Sequence, residues 1–194
     1  MIIYIHGFAS SGMGSKAQAF REYFKMHAID FFAPSLSPVP QLAIQTLSDC
    51  IAVCQRDKPL GLIGSSLGGF YAMHLAEQFN LKAVLINPAI RPDVLLMNEI
   101  GQVQNFYDGA HFEWQKHHAE SLSKFVVNEP KPEHYLLMLQ KGDEVLDYRQ
   151  ALKTLPSAET ILEEGGDHSF KNIEQHFERV YGFLASEEKY AANN

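Results

Sequence analysis

The segment GLIGSSLGGF, residues 61–70, places two adjacent serines among four glycines directly after an apolar run. The pattern G-x-S-x-G marks a turn that presents a nucleophile, and it fits when Ser66 is the centre, because Gly64 and Gly68 then occupy both flanks. Centring the pattern on Ser65 puts aliphatic residues at those flanks, where such a tight turn leaves no room for side chains. The spacing therefore predicts that Ser66 is a nucleophile between a strand and a helix.

Two phosphate-binding patterns could also explain glycines in this chain, and neither one fits. The P-loop requires a lysine after its second glycine, whereas the candidate at residues 7–14 has Met13 there, and residues 61–70 contain no lysine. The dinucleotide fingerprint G-x-G-x-x-G also fails, because the glycines of the segment stand at positions 61, 64, 68 and 69. Because neither phosphate-binding pattern fits, we interpret residues 61–70 as a turn that presents a nucleophile.

A serine hydroxyl needs a base to take its proton and an acid to orient that base. His168 lies in the segment EEGGDHSF after the last predicted strand, and Asp143 lies just beyond the strand predicted at 135–140. Ser66, Asp143 and His168 thus follow one another in the order found in hydrolases with this kind of turn. We predict that these three residues are catalytic. Asp147 is the second choice for the acid, although we expect it to begin the following helix as its N-cap.

The oxyanion that develops during acyl transfer needs two backbone N–H donors. We predict that one is Leu67, the residue after the nucleophile, and that the other is Phe8, in the segment HGFASS that follows the first predicted strand. A glycine before Phe8 allows the chain to turn its amides inward.

Other histidines compete with His168 for the role of base. His6 follows the first predicted strand and could face the site, but we interpret it as support for the loop, since a base from this strand would reverse the usual chain order. His111, His117 and His118 could suggest a metal site, but their spacing does not match that of a set of three metal ligands. We interpret them as residues of a surface helix. The predicted chemistry requires no metal and no organic cofactor.

Short apolar segments alternate with longer amphipathic ones along the chain, which is typical of a three-layer α/β/α fold with about six parallel strands. The predicted strands are residues 1–5, 30–34, 60–64, 82–87, 135–140 and 159–163. The predicted helices are residues 15–27, 41–56, 67–79, 146–154 and 172–185.

One interval, residues 88–134, is longer than a single crossover helix requires. It carries several aromatic residues among polar ones, namely Phe106, Tyr107, Phe112, Trp114 and Phe125. Long insertions in compact domains tend to be lids or binding loops, so we expect a lid-like insertion around 88–134 that forms a substrate pocket or a partial cover. An extra helix packed on the sheet is an equally open interpretation.

The composition limits the classes of protein to consider. A length of 194 residues suits a single domain over residues 1–194. A net charge of −7 without any run of Lys and Arg disfavours binding to nucleic acid. No apolar stretch approaches the roughly 18 residues of a membrane span. The opening MIIYIHGF lacks the pattern of a signal peptide, and Cys50 and Cys54 match neither a redox nor a zinc motif, so we expect free thiols in a cytoplasmic protein.

Several segments together resemble the α/β-hydrolase superfamily and, more narrowly, the small bacterial YqiA/YcfP-type esterases. These segments are YIHGFASS, GLIGSSLGGFYA, INPAIRP, KGDEVLDYRQA and EGGDHSF, and they extend over nearly the whole chain. The segments INPAIRP (86–92) and GDEVLDYRQA are specific to the narrower group. The resemblance implies a hydrolase core without the two antiparallel N-terminal strands of larger relatives, and a triad of Ser66, Asp143 and His168. The commoner superfamily form has proline where Asp147 stands in this chain.

These observations predict a serine esterase that hydrolyses carboxylic ester or thioester bonds of a small molecule through an acyl-enzyme. An acyl-CoA thioesterase is one alternative, for which a basic patch at the pocket mouth, including Arg91, would be the distinguishing feature. A hydrolase fold that serves only as a binding module is the other.

Overall fold

The computed structural model describes residues 1–56 and 59–186. The strands among these residues are β1 (Ile2–Ile5), β2 (Phe31–Phe32), β3 (Gly61–Ser65), β4 (Lys82–Ile86), β5 (Gly101–Gln104), β6 (His111–Trp114), β7 (Tyr135–Gln140) and β8 (Glu159–Glu163). Six of them form one parallel sheet in the order β2-β1-β3-β4-β7-β8. The predicted six-stranded α/β sheet is therefore confirmed.

The helices lie between these strands, as the alternation predicts. They are α1 (Ser15–Met26), α2 (Pro40–Cys54), α3 (Leu67–Phe79), α4 (Pro92–Leu95), α5 (Lys116–Ser121), α6 (Tyr148–Thr154) and α7 (Phe177–Ala185). The helix predicted at 172–185 is divided into a 3-10 turn, Ile173–His176, and α7. Within the described part of the chain, no helix is long and apolar enough to cross a bilayer.

Two apolar cores cover the two faces of the sheet. In β1, Ile3 and Ile5 point into the core shared with α2 and α3, whereas Ile2 and Tyr4 point into the core shared with α1 and α7. Successive residues of a strand face opposite sides, so a strand with helices on both faces must be apolar throughout. This burial accounts for the uninterrupted apolar segments of the sequence.

Residues 88–134, for which a lid-like insertion or an extra helix was expected, contain short helices and two short strands. β5 and β6 pair as an antiparallel hairpin that was not predicted from the sequence, with Gly101 opposite Trp114 and Val103 opposite Phe112. The strands have only four residues each, too few for their alternation to stand out. Trp114 is fully buried, and its indole N–H donates to the carbonyl oxygen of Leu96 at 2.8 Å, which fixes the hairpin to the segment after α4.

The carboxyl ends of β1, β3, β7 and β8 lie at one edge of the sheet, because all six strands are parallel. Each of the predicted site residues follows one of these strands. In open α/β sheets, ligands bind at this edge.

Candidate active site

Ser66 occupies a strained turn between β3 and α3. Its backbone angles are φ 57° and ψ −121°, in a region that residues with side chains rarely adopt. A Cβ atom on Gly64 would lie 2.2 Å from the carbonyl oxygen of Gly68, and one on Gly68 would lie 2.0 Å from the carbonyl oxygen of Ile5. The two glycines are therefore needed because the backbones of β3, α3 and β1 pack so closely there that no Cβ atom fits between them.

The structure brings Ser66, His168 and Asp143 into one hydrogen-bonded row. The Oγ atom of Ser66 lies 3.0 Å from Nε2 of His168. On the other side of the ring, Nδ1 lies 2.8 Å and 3.0 Å from the two carboxylate oxygens of Asp143. With Nδ1 as the donor to the carboxylate, Nε2 is left as the acceptor for the serine hydroxyl. In serine hydrolases, a nucleophile, a base and an orienting acid are arranged in this way.

The Asp143 carboxylate is held in its charged form. Burial by itself would raise the pKa of this carboxyl, but hydrogen bonds from His168 and from the backbone amides of Leu146 and Val145 outweigh burial and lower the pKa below its usual value. A carboxylate that remains charged can keep the imidazole oriented and stabilise the imidazolium.

Two other acids in the loop after β7 have different partners. Asp147 accepts a hydrogen bond from the backbone amide of Arg149 at 3.0 Å, as the expected N-cap of α6, and also binds the guanidinium of Arg149. Glu144 accepts from the backbone amide of His168 at 3.0 Å and so helps to hold the loop. Of the two acids considered for the triad, Asp143 is the one whose carboxylate contacts the imidazole.

The loop that carries His168 is held by two buried amide side chains that the sequence analysis missed. Oε1 of Gln140 accepts from the backbone amides of Asp167 and Lys171, and its Nε2 donates to the carbonyl oxygen of Lys171 and to the carboxylate of Glu163. Nδ2 of Asn87 donates to the carbonyl oxygens of Asp167 and His168, and its Oδ1 accepts from the backbone amide of Gln140. Polar residues at the ends of apolar strands, in YLLMLQ and KAVLIN, were the available signal.

A second missed group lies beneath the nucleophile turn. The Nζ atom of Lys16 donates to Oγ of Ser65 at 2.6 Å, and the hydroxyl of Tyr4 hydrogen-bonds to the same serine. Burial lowers the pKa of the Lys16 ammonium to about 8, although the nearby carboxylates of Asp143 and Asp167 act in the opposite direction. Ser65 is therefore the partner of a buried cation rather than only a small neighbour of Ser66.

The amides of Phe8 and Leu67 belong to the two segments next to Ser66, the loop after β1 and the start of α3. A Cβ on Gly7 would lie 3.6 Å from Oγ of Ser66, so the loop after β1 passes directly beside the nucleophile. Among the described residues, none accepts a hydrogen bond from the amide of Phe8 or Leu67. Both amides are thus available as donors to a developing oxyanion.

His6 supports the loop after β1, as we interpreted it from the sequence. Its Nδ1 lies 2.8 Å from the carbonyl oxygen of Gly7, and its Nε2 accepts from the backbone amide of Leu36 at 2.9 Å. Burial lowers its pKa, which favours the neutral ring that these two bonds require. Both ring nitrogens are occupied, so His6 does not compete with His168 as base.

Two cavities flank the row of catalytic candidates. A recess of about 60 Å³ is lined by Phe8, Leu67, Tyr71 and Phe112, among others. A groove of about 420 Å³ lies between the segment after β4 and the loop after β7. No group of three or more His, Cys, Asp or Glu residues in the described part of the chain could hold a metal ion.

The model of the family described as "Uncharacterised protein family (UPF0227)" matches residues 1–185. The chain belongs to the UPF0227 family. The UPF0227 protein YcfP of Salmonella arizonae is 25% identical over 189 residues, covering 94% of this chain and 98% of the relative. The UPF0227 protein YcfP of Salmonella paratyphi B has the same identity and coverage. The family that the sequence segments indicated is therefore confirmed.

Solved structures place this UPF0227 member in the α/β-hydrolase fold. Est1E from Butyrivibrio proteoclasticus with ferulic acid bound has a TM-score of 0.74 at 15% identity, over 94% of this chain and 87% of that one. Alpha/beta hydrolase domain-containing protein 10 from mouse has a TM-score of 0.71 at 19% identity, over 92% and 87%. The esterase domain of a Rhodothermus marinus protein has a TM-score of 0.69 at 14% identity, over 94% and 85%. At these identities the likeness shows the fold.

Proposed function

We propose that this protein is a serine hydrolase that cleaves ester bonds through an acyl-enzyme, with Ser66 as nucleophile, His168 as base and Asp143 as the orienting acid. The observation that carries the proposal is the hydrogen-bonded row from Ser66 Oγ through the imidazole to the carboxylate, with distances of 3.0 Å and 2.8 Å. The esterases among the structural neighbours support it at the level of the fold.

In the first half of the reaction, Ser66 Oγ attacks the ester carbonyl while its proton moves to Nε2 of His168. The carboxylate of Asp143, 2.8 Å from Nδ1, stabilises the imidazolium that forms. The amides of Phe8 and Leu67 donate to the carbonyl oxygen as it becomes negatively charged. His168 then gives its proton to the leaving alcohol, and the acyl group remains on Ser66.

In the second half, a water molecule takes the place of the alcohol. His168 accepts a proton from the water as it attacks the acyl carbonyl, and the same two amides bind the oxyanion again. Collapse of the second intermediate returns the proton to Ser66 and releases the acid. Every proton transfer uses one nitrogen, Nε2, so the reaction requires that Asp143 keep the ring in a single tautomer.

Residues 88–134 supply part of the substrate site in this proposal. The ring of Phe8 makes edge-on contacts with Trp114 at 4.9 Å and with Phe112 at 5.8 Å between ring centroids. The Nδ2 atom of Asn105 donates to the carbonyl oxygen of Ser10 in the loop after β1. The hairpin thus lies against the loop that holds one oxyanion donor, where it partly covers the recess.

Hydrolysis of p-nitrophenyl acetate tests the proposed function. We expect Ser66→Ala and His168→Ala to lower kcat by roughly 10⁴-fold or more. Ser65→Ala tests the choice of serine: it removes the adjacent hydroxyl, which is also the partner of Lys16, so we expect a loss far smaller than that of Ser66→Ala. A wild-type protein that does not hydrolyse activated esters, or a Ser66→Ala variant that retains its rate, would refute the proposal.

A further inference from the structure

The groove of about 420 Å³ lies between residues 89–98, which include the end of INPAIRP and α4, and residues 145–150 of GDEVLDYRQA. Its apolar lining consists largely of Ile90, Val94 and Leu95 on one wall and Val145 and Leu146 on the other. Val94 and Val145 are 59% and 51% exposed, so an aliphatic side chain on each wall faces the open groove.

Both walls of the groove are tied to the triad by backbone hydrogen bonds. The amide of Ala89, a lining residue, donates to the carbonyl oxygen of Ser66 at 3.1 Å. The amide of Leu146 donates to a carboxylate oxygen of Asp143 at 2.8 Å. The walls of the groove therefore contact the backbone of Ser66 and the carboxylate of Asp143.

The two cavities differ in the size of the group that they admit. The recess beside Phe8 and Leu67 has about 60 Å³, whereas the groove has about 420 Å³. An ester bound at Ser66 with a short group in the recess can place a much longer group in the groove.

The cations near the groove are already neutralised. Among the described lining residues, Arg91 is the one cation, and its guanidinium makes two hydrogen bonds to the carboxylate of Asp93 at 2.8 Å and 2.7 Å. Arg149, next to the groove, is paired with Asp147 at 2.8 Å. Recognition of a phosphate-rich group such as coenzyme A needs cations that are free to pair with phosphate.

We infer that the groove binds an uncharged aliphatic group of a neutral ester, and that acyl-CoA is a poor substrate. The inference rests on the proposed function of Ser66 and adds the substrate class to it. The apolar walls bind the chain, and the balanced charges of the two Arg–Asp pairs give no compensation for binding the phosphates of a nucleotide.

Chain-length series test the apolar part of the inference. We expect kcat/KM to rise by about two- to fourfold per methylene up to about eight carbons, either in p-nitrophenyl acyl esters or in acetate esters of linear alcohols. Val94→Asp should lower the ratio of the eight-carbon to the two-carbon substrate by tenfold or more. Val53→Asp, at a valine of α2 with 63% exposure, is the matched control and should keep the ratio. A flat or falling profile in both series would overturn the inference, while hydrolysis of p-nitrophenyl acetate that depends on Ser66 would still support the proposed function.

A pair of thioesters tests the charge argument. Octanoyl-CoA and the octanoyl thioester of N-acetylcysteamine share the acyl group and the reacting bond, but only the first carries phosphates. We expect kcat/KM of the wild type to be at least tenfold higher for the neutral thioester than for octanoyl-CoA. The double variant Asp93→Asn, Asp147→Asn should reduce that preference severalfold, because it frees the guanidinium groups of Arg91 and Arg149. A wild-type preference for octanoyl-CoA would contradict the inference.

Lys16 supports a second, independent inference. The location of Lys16 is unfavourable for a charged side chain in two ways. Its ammonium is buried, and the residue lies in the first turn of α1, where the helix dipole disfavours a cation. Tyr4 and Ser65 face it from β1 and β3, and the carboxylates of Asp143 and Asp167 act on it from the loops after β7 and β8.

We propose that Lys16 is a positioning residue, which holds the end of β3, and with it the turn that carries Ser66, through its hydrogen bond to Oγ of Ser65. Loss of that hydrogen bond lets the turn shift, and a shift of the attacking hydroxyl slows the reaction.

Rescue by a second cation in hydrolysis of p-nitrophenyl acetate separates this role from a merely structural one. We expect Lys16→Met to lower kcat/KM by roughly tenfold or more, and Lys16→Arg, whose guanidinium can also donate to Oγ of Ser65, to restore most of it. Lys171→Met is the matched control, since Lys171 is paired with Asp167 at 3.2 Å but is 64% exposed and screened by water. A Lys16→Met variant with the kcat/KM of the wild type, or a Lys16→Arg variant as slow as Lys16→Met, would overturn the proposal.

Discussion

Replacing Gln140 with methionine perturbs the loop that carries His168 without touching the triad. Methionine has nearly the same length as glutamine, and Gln140 is only 2% exposed, so the change removes the amide but keeps most of the volume. The glutamine amide makes hydrogen bonds to the backbone of Asp167 and Lys171 and to the carboxylate of Glu163.

The loss can be worked out from these contacts. In the variant, the amides of Asp167 and Lys171 and the carbonyl oxygen of Lys171 all lose their partner. A buried polar group left unpaired costs about 1–3 kcal/mol. We take about 1 kcal/mol for each of the three groups, because the loop lies near the surface. The free energy of unfolding should therefore fall by about 3 kcal/mol. For a chain of this size, Tm should fall by roughly 6–12 °C. Because a shift of about 1 Å in a catalytic group can cost about 100-fold, kcat/KM should fall by roughly 10- to 100-fold.

Thermal unfolding and hydrolysis of p-nitrophenyl acetate measure the two effects separately. Gln45→Met is the matched control, because Gln45 is exposed on α2 and makes one side-chain hydrogen bond, to Asp49. A Gln140→Met variant with the Tm and the kcat/KM of the wild type would show that the amide does not hold the loop.

Two further predictions concern the elements around the triad. The interactions that lower the pKa of Asp143 stabilise the fold at pH values above 3.8, the pKa of the unfolded state, and this stabilisation is lost as the pH falls through the lowered pKa of the folded state. Asparagine does not titrate, so the Tm of Asp143→Asn should fall less than that of the wild type between pH 6 and 3. Equal decreases in Tm would contradict this assignment. Gly68→Ala would place a Cβ 2.0 Å from the carbonyl oxygen of Ile5, so we expect a large loss of Tm or no folded protein. Gly182→Ala in α7, where a Cβ meets nothing within 4 Å, should instead raise Tm by about 1–4 °C. Equal Tm values for the two glycine variants would refute the steric argument.

The fold and the row of site residues could be predicted because they depend on local patterns. The apolar strands are buried on both faces, and their alternation with amphipathic helices is visible in the letters alone. The register of Gly64 and Gly68 selected Ser66 over Ser65, and the chain order led to Asp143 and His168. The structure brings those three residues into contact.

The missed groups depend on contacts between distant segments. Lys16 in the first turn of a predicted helix looks like any solvated lysine, and only the packing of α1 against the end of β3 buries its ammonium on Ser65. Gln140 looks like the polar end of a strand until the loop around His168 folds over it. The hairpin of residues 101–114 has strands of four residues each, too short for their alternation to stand out.

The identity of the nucleophile is the central claim, and covalent labelling tests it most directly. The protein would be treated with a fluorophosphonate, which reacts with activated serines, and the modified residue identified by peptide mass spectrometry in the wild type and in Ser66→Ala and Ser65→Ala. We predict a single adduct on Ser66, lost in Ser66→Ala and retained in Ser65→Ala. No adduct on the wild type, or an adduct that persists in Ser66→Ala and disappears in Ser65→Ala, would contradict the account.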